Sequence, residues 1–596
     1  MAGKKKSILI YLAIMFFVIF SCSKGKEESG VNSTPVKNEL SNIEEKPSFL
    51  LITIDTWRSD YIGVSKSGKV ETPNIDYFAK NGIYIKKVET PCPLTTPAHA
   101  SILTGLYPKN NGIRDNHHFK LRPEIKSIAE LLKENGYKTI AVVSGSPLRS
   151  VYGLNQGFDF YDDEGLGVKG DESLTPSYRK GEISAERCFN LVEKEKKFPL
   201  FVWLHLYEPH KPYVPPSEYL KKYPNDPYAG EVSYADKIVG VLLRKTFEIK
   251  KGRWIVFITG DHGEGLGDNI EITHGLLLYK ETRTVPLVVY DSENKFRSAG
   301  EGEKSLIDIA PTIADILKLK GQFDGTSISC SSQGRKLFSE TLAPLTGFNV
   351  NGAFSVSFNN KIYIKNGISE EIYLDNNEKE NRILSEKEFG GLAKKEIEEF
   401  FNENDIKENL ILSNEDIKSL KSLGYIGGAG LPGKGAPIKC DLKDFVKEFN
   451  RLEFGRGFLQ NGKFSEALPI YDDFLKKYPY SSELFTEKAT IFFNLGRIGE
   501  AKEAIKKSLS IDPKNSVAYL NLGNIFIIEK DYKKAEESFL MCLKLEEEAE
   551  AYLNLGLLYY YYLNDKEKAK FYLNKFIENS PNDPERGKIE KLIKEN

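Results

Sequence analysis

The last quarter of this chain repeats itself every 34 residues, and this period restricts its fold more than any other feature. Alanine marks the period at Ala467, Ala501, Ala535 and Ala569. Proline falls on the same period at Pro479, Pro513 and Pro581, with one repeat lacking it. Small side chains allow paired helices to pack closely, and proline ends a helix because it has no N–H to donate. The pattern predicts stacked helical pairs in which each pair contacts only its neighbours.

The spacing resembles the tetratricopeptide repeat, most clearly in LGRIGEAKEAIKKSLSIDP over residues 495–513. A small residue of the first helix keeps the register at Gly455, Ala489 and Gly523, whereas Gly556 comes one residue early. The resemblance implies about four repeats over residues 441–596 and a curved helical array. Because such arrays usually bind partners, we expect a protein partner for the repeats. An irregular helical bundle is the alternative.

Upstream of the repeats, short apolar runs alternate with amphipathic helical stretches. The runs are FLLITID (49–55), TIAVVS (139–144), LFVWLHL (200–206), WIVFITGD (254–261) and VPLVVY (285–290). Near-continuous apolar runs are typical of strands covered on both faces, and the helical stretches between them suit parallel crossovers. One such stretch spans residues 127–135. The predicted fold class is an α/β sandwich with a mainly parallel central sheet, whose functional groups lie at the C-terminal ends of the strands.

The chain on either side of this α/β region differs from it in composition. Residues 386–440 are charged and end in the Gly/Pro-rich GGAGLPGKGAP (427–437), which predicts a connecting region with a hinge after a domain over residues 48–385. At the N-terminus, basic residues 4–6 and the apolar stretch 7–20 are typical of an export signal. The sequence Ile19-Phe20-Ser21-Cys22 resembles the lipobox of bacterial lipoproteins.

These features predict a signal peptide over residues 1–22, lipidation of Cys22 and a flexible tether over residues 23–47. We therefore expect an exported protein that a lipid holds on the periplasmic or cell-surface side of a bacterial membrane. An uncleaved N-terminal anchor is the alternative.

The charge balance and the cysteines argue against several classes of protein. The 83 Lys and Arg residues nearly balance the 85 Asp and Glu residues, so binding to a nucleic-acid polymer is not expected. The five cysteines beyond Cys22 are widely spread, which predicts neither a disulfide framework nor a zinc ribbon. All seven histidines lie between His99 and His274. Because histidine is the commonest metal ligand and a frequent acid–base group, this part of the chain is where chemistry is expected.

Carboxylates and imidazoles follow several of the predicted strands. Asp55 ends the first run, and Asp261 and His262 end another. Thr95 precedes the helix-like ASILTG, so its hydroxyl could face an anion at a helix N-terminus. Three further histidines lie at a strand end or in loops: His205, His210 and His274. Together these groups predict a metal-assisted ester hydrolase.

These residues lie in blocks that resemble the sulfatase-like branch of the alkaline phosphatase superfamily. The blocks are LLITIDTWRSDYIG (50–63), PLTTPAHASILTGLYP (93–108), NGIRDN (111–116), WLHLYEPHKPY (203–213), TGDHGEGLGD (259–268), THGLLLY (273–279), SLIDIAPTIADIL (305–317) and EEIYLD (370–375). They occur in order over residues 48–384. The resemblance implies the sandwich fold of that superfamily and a phosphate or sulfate ester as substrate.

Thr95 departs from the pattern of true sulfatases. Those enzymes mature a cysteine or serine in a C/S-x-P-x-R motif to formylglycine, whereas TTPAH places Thr95 at that position and His99 at the arginine. Threonine cannot become formylglycine, so none is expected. A threonine ester has no second hydroxyl to expel the bound group, and water must attack the central atom in a second displacement.

Nucleophilic threonines of this kind occur in the superfamily in phosphodiesterases, phosphoethanolamine transferases and lipoteichoic acid synthases. The resemblance therefore implies hydrolysis or transfer of phosphate mono- or diesters through a covalent phospho-Thr95. One alternative is a sulfate-ester hydrolase that works without formylglycine. Another is a lipoprotein scaffold that binds partners through its repeats and has lost its activity.

The same resemblance implies that Asp55, Thr95, Asp261 and His262 hold a divalent metal. Calcium sulfatases usually carry paired aspartates at the first block and Asp-Asn at the later one. Here Thr56 follows Asp55, and His262 follows Asp261. Fewer oxygen ligands and an added nitrogen favour zinc or manganese over calcium. One metal site is expected, and two are possible.

The remaining roles also follow from the resemblance. Asn116 matches an asparagine that holds a phosphoryl oxygen together with the backbone N–H of the nucleophile. His205, His210 and His274 are expected to bind a second metal, activate water or protonate the leaving group. Glu208 is a weaker candidate for a second metal. His99 is expected to contact the metal ligands without binding the metal itself. His117 and His118 are expected to lie in a loop at the rim of the pocket.

Overall fold

A computed structural model of the chain describes residues 46–116, 118–166, 178–374, 385–401, 436–545, 548–580, 583 and 586–594. The predicted signal peptide, Cys22, most of the predicted tether and residues 427–435 of the predicted hinge lie outside these ranges. Within them, no helix combines the length and the apolar character needed to cross a membrane. The described residues from Lys46 onward belong to one compact unit.

The central sheet has seven strands in the order β2-β7-β6-β1-β5-β3-β4. Their bounds are β1 Ser48–Ile54, β2 Ile83–Glu89, β3 Lys138–Val142, β4 Phe160–Asp162, β5 Leu200–Leu206, β6 Trp254–Gly260 and β7 Thr284–Asp291. Strands β6, β1, β5, β3 and β4 are parallel, so the predicted mainly parallel sheet is confirmed.

Strand β7 corrects one prediction, because it runs antiparallel to β6 and pairs with the antiparallel edge strand β2. A parallel connection needs a crossover long enough to return along the face of the sheet. Between β6 and β7 the described helical elements are the 3₁₀ turn Asp268–Ile270 and the four-residue helix Lys280–Arg283. The chain therefore stays at the edge where β6 ends and re-enters the sheet in the opposite direction.

Helices cover both faces of this sheet. The described helices before the repeats are α1 Pro73–Asn81, α2 Thr95–Thr104, α3 Pro108–Asn111, α4 Ile128–Glu134, α5 Gly181–Lys194, α6 Ser217–Lys222, α7 Pro227–Ile249, α8 Lys280–Arg283, α9 Ile309–Ile316, α10 Ala343–Phe348 and α11 Lys387–Phe400, of which α11 packs on the second sheet described below. Phe49 and Leu51 of β1 pack with α2, α4 and α9, whereas Leu50 and Ile52 pack with α1, α5 and α7. This alternation explains why the run is apolar at every position. The predicted helix at residues 127–135 is α4, and Ser127 and Glu130 form its capping box.

A second, antiparallel sheet follows in the order β11-β10-β9-β8. Its strands are β8 Leu337–Thr341, β9 Ala353–Phe358, β10 Lys361–Asn366 and β11 Ser369–Leu374. The EEIYLD block provides most of β11.

In the part of residues 441–596 that the structure describes, the repeats consist of four helical pairs and a final helix. The pairs are Leu442–Gln460 with Phe464–Lys477, Ser482–Asn494 with Ile498–Ile511, Ser516–Ile528 with Tyr532–Leu545, and Ala549–Leu558 with Lys566–Asn579, and Arg586–Lys594 follows. A Cβ atom added to Gly523 would lie 2.4 Å from the Phe539 ring, which explains the small residue in the repeat. Leu442, Phe445 and Val446 of the first pair share a core with residues 276–279 of the catalytic region.

Within the described residues, no disulfide joins any of Cys92, Cys188, Cys330, Cys440 and Cys542. Cys92, Cys188 and Cys542 are buried, whereas Cys330 is exposed.

Candidate active site

Three adjacent strands bring the candidate residues together. Because β6, β1 and β5 are parallel neighbours in register, their C-terminal ends meet at one edge of the sheet. Asp55 directly follows β1, Asp261 directly follows β6, and His205 is the penultimate residue of β5. The three side chains are essentially inaccessible to solvent. This is the edge at which an α/β sheet was expected to carry its functional groups.

The side chains of these strand ends form one compact cluster. His205 Nε2 lies 3.5 Å from Asp55 Oδ2. His262 Nε2 lies 3.8 Å from Asp55 Oδ1 and 3.5 Å from Asp261 Oδ2. The ligand atoms of Asp55, Asp261 and His262 all lie within 4.8 Å of one another, and those of His99, His205 and Asp261 do so as well.

Among the described residues, five buried atoms of this cluster have no hydrogen-bond partner: Asp55 Oδ1, Asp55 Oδ2, His205 Nε2, Asp261 Oδ2 and His262 Nε2. Leaving such groups buried and unpaired is costly, whereas a cation held by Asp55, Asp261 and His262 would give their free atoms a partner. Three carboxylate oxygens and His262 Nε2 form a donor set suited to a divalent metal. The residues present therefore fit the metal that members of this superfamily typically use.

Burial sets the protonation of the imidazoles in the cluster. It lowers the pKa of His205 to about 4, although the nearby Asp261 carboxyl opposes that shift. Burial, aided by His274, lowers the pKa of His262 to about 3. Burial and the Asp55 charge together raise the pKa of Asp261. Both imidazoles are thus neutral near pH 7. His262 Nδ1 donates to the Gly263 carbonyl oxygen at 3.0 Å, so its Nε2 presents the lone pair that a metal ligand needs. His205 Nδ1 accepts from the Ser144 N–H at 3.3 Å, so the neutral ring carries its proton on Nε2.

Asp261 is held in place by two backbone donors. The N–H groups of Thr56 and His262 donate to Asp261 Oδ1 at 3.1 Å and 2.7 Å. Thr56 has a φ of +54°, which is unusual for a β-branched residue and marks a strained position beside the cluster. Thr56 stands where calcium sulfatases place a second aspartate. Its strained backbone was not evident from the sequence.

Thr95 is the first residue of α2, and His99 fixes the turn that it begins. His99 Nδ1 donates to the Thr95 carbonyl oxygen at 2.8 Å, since a carbonyl can only accept. His99 Nε2 then accepts from the Thr53 hydroxyl at 2.9 Å. With both ring nitrogens engaged, His99 joins α2 to β1 and lies 3.6 Å from Asp261 Oδ2.

Asn116 lies against the start of the same helix. Its Oδ1 accepts a hydrogen bond of 2.9 Å from the Thr96 N–H, one residue beyond Thr95. The structure thus brings Asn116 close to the residue with which it was predicted to act.

His205, His210 and His274 were grouped from the sequence, but the structure places them in two different parts of the site. His205 belongs to the cluster around Asp55, because it ends a strand. His210 and His274 lie in loops, with their ring centroids 5.2 Å apart, and the His274 ring is 4.5 Å from that of His262. The spacing of His205 and His210 in the sequence did not predict that they lie in different parts of the site. The chain turns between them after β5 ends.

Glu264 contacts His274 in the part of the site that holds His210 and His274. No role was assigned to Glu264 from the sequence. Its Oε1 lies 3.0 Å from His274 Nδ1, and its Oε2 accepts from the Tyr213 hydroxyl at 2.8 Å. Burial lowers the pKa of His274, but the charge of Glu264 outweighs burial and raises it to about 9. The feature of the sequence that could have indicated a role for Glu264 is its position in the DHGEG block.

Two weaker expectations are corrected. Both oxygens of Glu208 accept from the Gly181 N–H, at 2.9 Å and 3.1 Å, so this carboxylate is engaged at the start of α5 and not in the cluster. His118 is buried instead of lying at a rim, and its Nδ1 is 2.6 Å from Asp115 Oδ2. His117 lies outside the described residues.

The sheet and the cluster define a class of hydrolases in which carboxylates and imidazoles meet at the strand ends of an α/β sandwich. Comparison with known families gives the same class. The Sulfatase family model matches residues 47–319, and tetratricopeptide repeat models match residues 482–515, 504–537 and 550–583. The chain therefore contains a sulfatase-family domain of the alkaline phosphatase superfamily, followed by C-terminal tetratricopeptide repeats. Both assignments made from the sequence are confirmed.

Individual relatives are distant. The chain is similar to the uncharacterized sulfatase YidJ of Escherichia coli, with 23% identity over 46% of this chain and 69% of that protein. It is also similar to an ulvan-active sulfatase of Formosa agariphila, with 26% identity over 39% of this chain and 54% of the relative. Among solved structures, BT4656 in complex with its substrate D-glucosamine-2-N,6-O-disulfate superposes with a TM-score of 0.51 and 16% identity. That match covers 62% of this chain and 99% of the other, and it establishes the fold.

Proposed function

We propose that this protein hydrolyses or transfers phosphate mono- or diesters through a covalent phospho-Thr95 intermediate. One observation carries the proposal: Thr95 begins α2 beside the buried cluster, at the position where true sulfatases carry the precursor of formylglycine. His99 links the two, because its Nδ1 is 2.8 Å from the Thr95 carbonyl and 3.6 Å from Asp261 Oδ2. An unmodified hydroxyl there favours two successive displacements at phosphorus.

In the first displacement, Thr95 Oγ loses its proton to solvent and bonds to phosphorus, while the bond from phosphorus to the leaving oxygen breaks. The imidazolium of His274, held by Glu264, gives its proton to that leaving oxygen. In the second displacement, water bonds to phosphorus and returns a proton to His274. The bond from phosphorus to Thr95 then breaks, and the threonine recovers its proton. In a transferase, an acceptor hydroxyl replaces the water.

A divalent metal would be held by Asp55, Asp261 and His262, with His205 adjacent and Thr95 Oγ as the ligand that reacts. When bound, such a metal lowers the pKa of the hydroxyl and offsets negative charge on the phosphoryl oxygens. The imidazole nitrogen of His262 supports zinc or manganese over calcium. The single compact cluster supports one metal site, while His210 and His274 act as acid–base groups.

Asn116 and the N-terminus of α2 provide the site for the phosphoryl oxygens. The bond from the Thr96 N–H to Asn116 Oδ1 turns the amide so that Nδ2 is the group able to donate to a ligand. The first turn of a helix also attracts anions through its N–H groups and its dipole. These donors would stabilise charge that develops on the phosphoryl group.

A sulfate-ester hydrolase without formylglycine is the second candidate. The names of the relatives favour it, since both matched proteins described above are called sulfatases. Purified protein should therefore be assayed on matched aryl phosphate and aryl sulfate esters after its metal content is determined. Phosphate turnover that is abolished in Thr95→Ala, with the fold retained, is the expected result. A strong preference for sulfate would favour the second candidate, and equal activity of Thr95→Ala would exclude the covalent mechanism.

We further propose that the protein is exported and anchored by a lipid on Cys22, and that the repeats bind a protein partner. The lipobox-like residues 19–22 support the first proposal, and the four helical pairs support the second. Metabolic labelling with a fatty-acid analogue should mark the wild-type protein and not Cys22→Ala. Labelling of the variant at the wild-type level would exclude lipidation at this cysteine.

A further inference from the structure

We propose that the first repeat helix, Leu442–Gln460, positions the catalytic loop that carries His274. The loop is defined as residues 264–279 and is called the His274 segment below. Its role in turnover rests on the proposed function, in which His274 protonates the leaving group. The repeats would then be a working part of the catalytic unit, in addition to any partner that they bind.

One end of the His274 segment is held by Asn450. Asn450 Nδ2 donates to the Ile270 carbonyl oxygen at 2.6 Å. Ile270 and the preceding Asn269 have φ values of +68° and +46°. A β-branched residue rarely adopts the left-handed region, and such a conformation persists only where its surroundings impose it. Ile270 also packs against the core that the first repeat helix shares with the catalytic region. Asn450 therefore holds the strained point of the segment.

The same helix holds the other end of the segment. The Tyr279 hydroxyl donates to Glu371 Oε2 at 2.7 Å, and Glu371 is buried. Lys443 of the first repeat helix forms an ion pair with the other oxygen of Glu371. Residues 276–279 pack in one core with Leu442, Phe445 and Val446. His274 thus lies between two points that are both fixed by Leu442–Gln460.

The helix also reaches the loop of His210. Lys211, the next residue, lies with its Nζ 3.6 Å from Glu453 Oε2. Asn450 and Glu453 are three residues apart and therefore lie on one face of the helix. The Lys211 side chain is 46% exposed, so this pair contributes less than the bond from Asn450. One helix face contacts both loops whose histidine rings lie 5.2 Å apart.

Displacing His274 would slow turnover without preventing substrate binding. A misplacement of about 1 Å can lower a rate by as much as about 100-fold. Loss of the bond from Asn450 frees Ile270, four residues before His274, while the core contacts at residues 276–279 remain. We expect kcat to fall on the order of 10-fold in Asn450→Ala, with KM for a small aryl phosphate within about 2-fold of wild type.

The test compares full-length wild type, Asn450→Ala and Asn450→Asp, which keeps the side-chain shape but cannot donate. Lys447→Ala is the matched control, because Lys447 is exposed on the same helix and pairs with Asp444 of that helix. Steady-state kinetics are combined with hydrogen–deuterium exchange of residues 264–279. Both Asn450 variants should exchange faster in this segment and turn over more slowly, and the control should match wild type.

Exchange requires no turnover, so it separates this inference from the proposed function. If wild type hydrolyses neither ester, the proposed function fails, and exchange alone decides whether the helix positions the segment. Unchanged exchange in both Asn450 variants would overturn the inference. Unchanged kcat in folded variants of an active enzyme would overturn it as well, since the helix would then not affect catalysis.

Discussion

His99 Nδ1 donates to the carbonyl oxygen of Thr95 at 2.8 Å, so the imidazole closes the first turn of the helix that presents the candidate nucleophile. The other ring nitrogen accepts from Thr53 on β1. Burial lowers the pKa of His99 to about 3, despite the opposing charge of Asp261. The ring is therefore neutral near pH 7, with its proton on the nitrogen that faces Thr95. In true sulfatases an arginine stands at this position, and here a neutral ring orients the hydroxyl of Thr95 through its backbone.

We predict that His99→Ala lowers kcat on the order of 100-fold while the metal content changes little, because the change loosens Thr95 and leaves Asp55, Asp261 and His262 in place. Thr53→Val removes the hydroxyl that donates to His99 and should have a smaller effect in the same direction. Steady-state kinetics and metal analysis of both variants test this. A His99→Ala enzyme with wild-type kcat would contradict the positioning role.

A second prediction concerns Glu264, which contacts both His274 and Tyr213. Glu264→Gln removes the charge that stabilises the His274 imidazolium and should lower kcat roughly 10- to 100-fold. Tyr213→Phe is the control, because it removes a hydrogen bond of 2.8 Å to Glu264 and leaves the carboxylate charge. We expect Tyr213→Phe to retain most of the activity in the same assay. If both variants lost the same amount of activity, the packing around Glu264 and not its charge would account for its effect on kcat.

Much of the site could be predicted because its residues follow apolar strands directly. LFVWLHL is β5 itself, and the runs before Asp55 and Asp261 are β1 and β6. Parallel neighbours end at the same edge, so a pattern of strands was enough to bring these carboxylates together. The predicted period of the repeats likewise follows from local spacing, and the observed helical pairs keep it.

The rest depended on contacts between segments that are distant in the chain. Glu264 accepts a hydrogen bond from Tyr213, some fifty residues earlier, and Thr56, with its strained backbone, donates to Asp261. The direction of β7 depended on the short connection before it, which an apolar run does not reveal. The packing of the first repeat helix on residues 276–279 is also long-range, and the sequence indicated a hinge near that point instead.

The repeats allow a third prediction about stability. Gly523→Ala would place a Cβ atom 2.4 Å from the Phe539 ring, so we expect a loss of about 1–3 kcal/mol in the free energy of unfolding of the repeats. Gly499→Ala is the matched control, because Gly499 is also helical but no atom of the described residues lies within 4 Å of an added Cβ. Its higher helix propensity should stabilise the protein by up to about 1 kcal/mol. Denaturant unfolding followed by circular dichroism measures both changes, and a stabilised Gly523→Ala would contradict the packing.

The fourth prediction concerns the pH dependence of stability and depends on Glu231 of α7. Its carboxylate accepts from the Val214 N–H at 2.9 Å, and the side chain is buried. Burial, with a smaller contribution from the Glu208 carboxyl, raises the pKa of Glu231 from its ordinary value of 4.5 to about 8. Between these values the folded protein binds a proton that the unfolded chain has released. Stability from this group therefore falls as the pH rises from about 5 to about 8, by an amount on the order of a few kcal/mol.

Glu231→Gln keeps the acceptor oxygen for Val214 and removes the titration. We expect the variant to lose less thermal stability than wild type between pH 5.5 and pH 8.5, as measured by Tm in matched buffers of equal ionic strength. Glu218→Gln provides the control, because that carboxylate is on the surface and 68% exposed, and its slope should follow that of wild type. Since Tm requires no substrate, the result is independent of the proposed activity. A Glu231→Gln protein with the wild-type dependence on pH would show that Glu231 does not carry the buried proton.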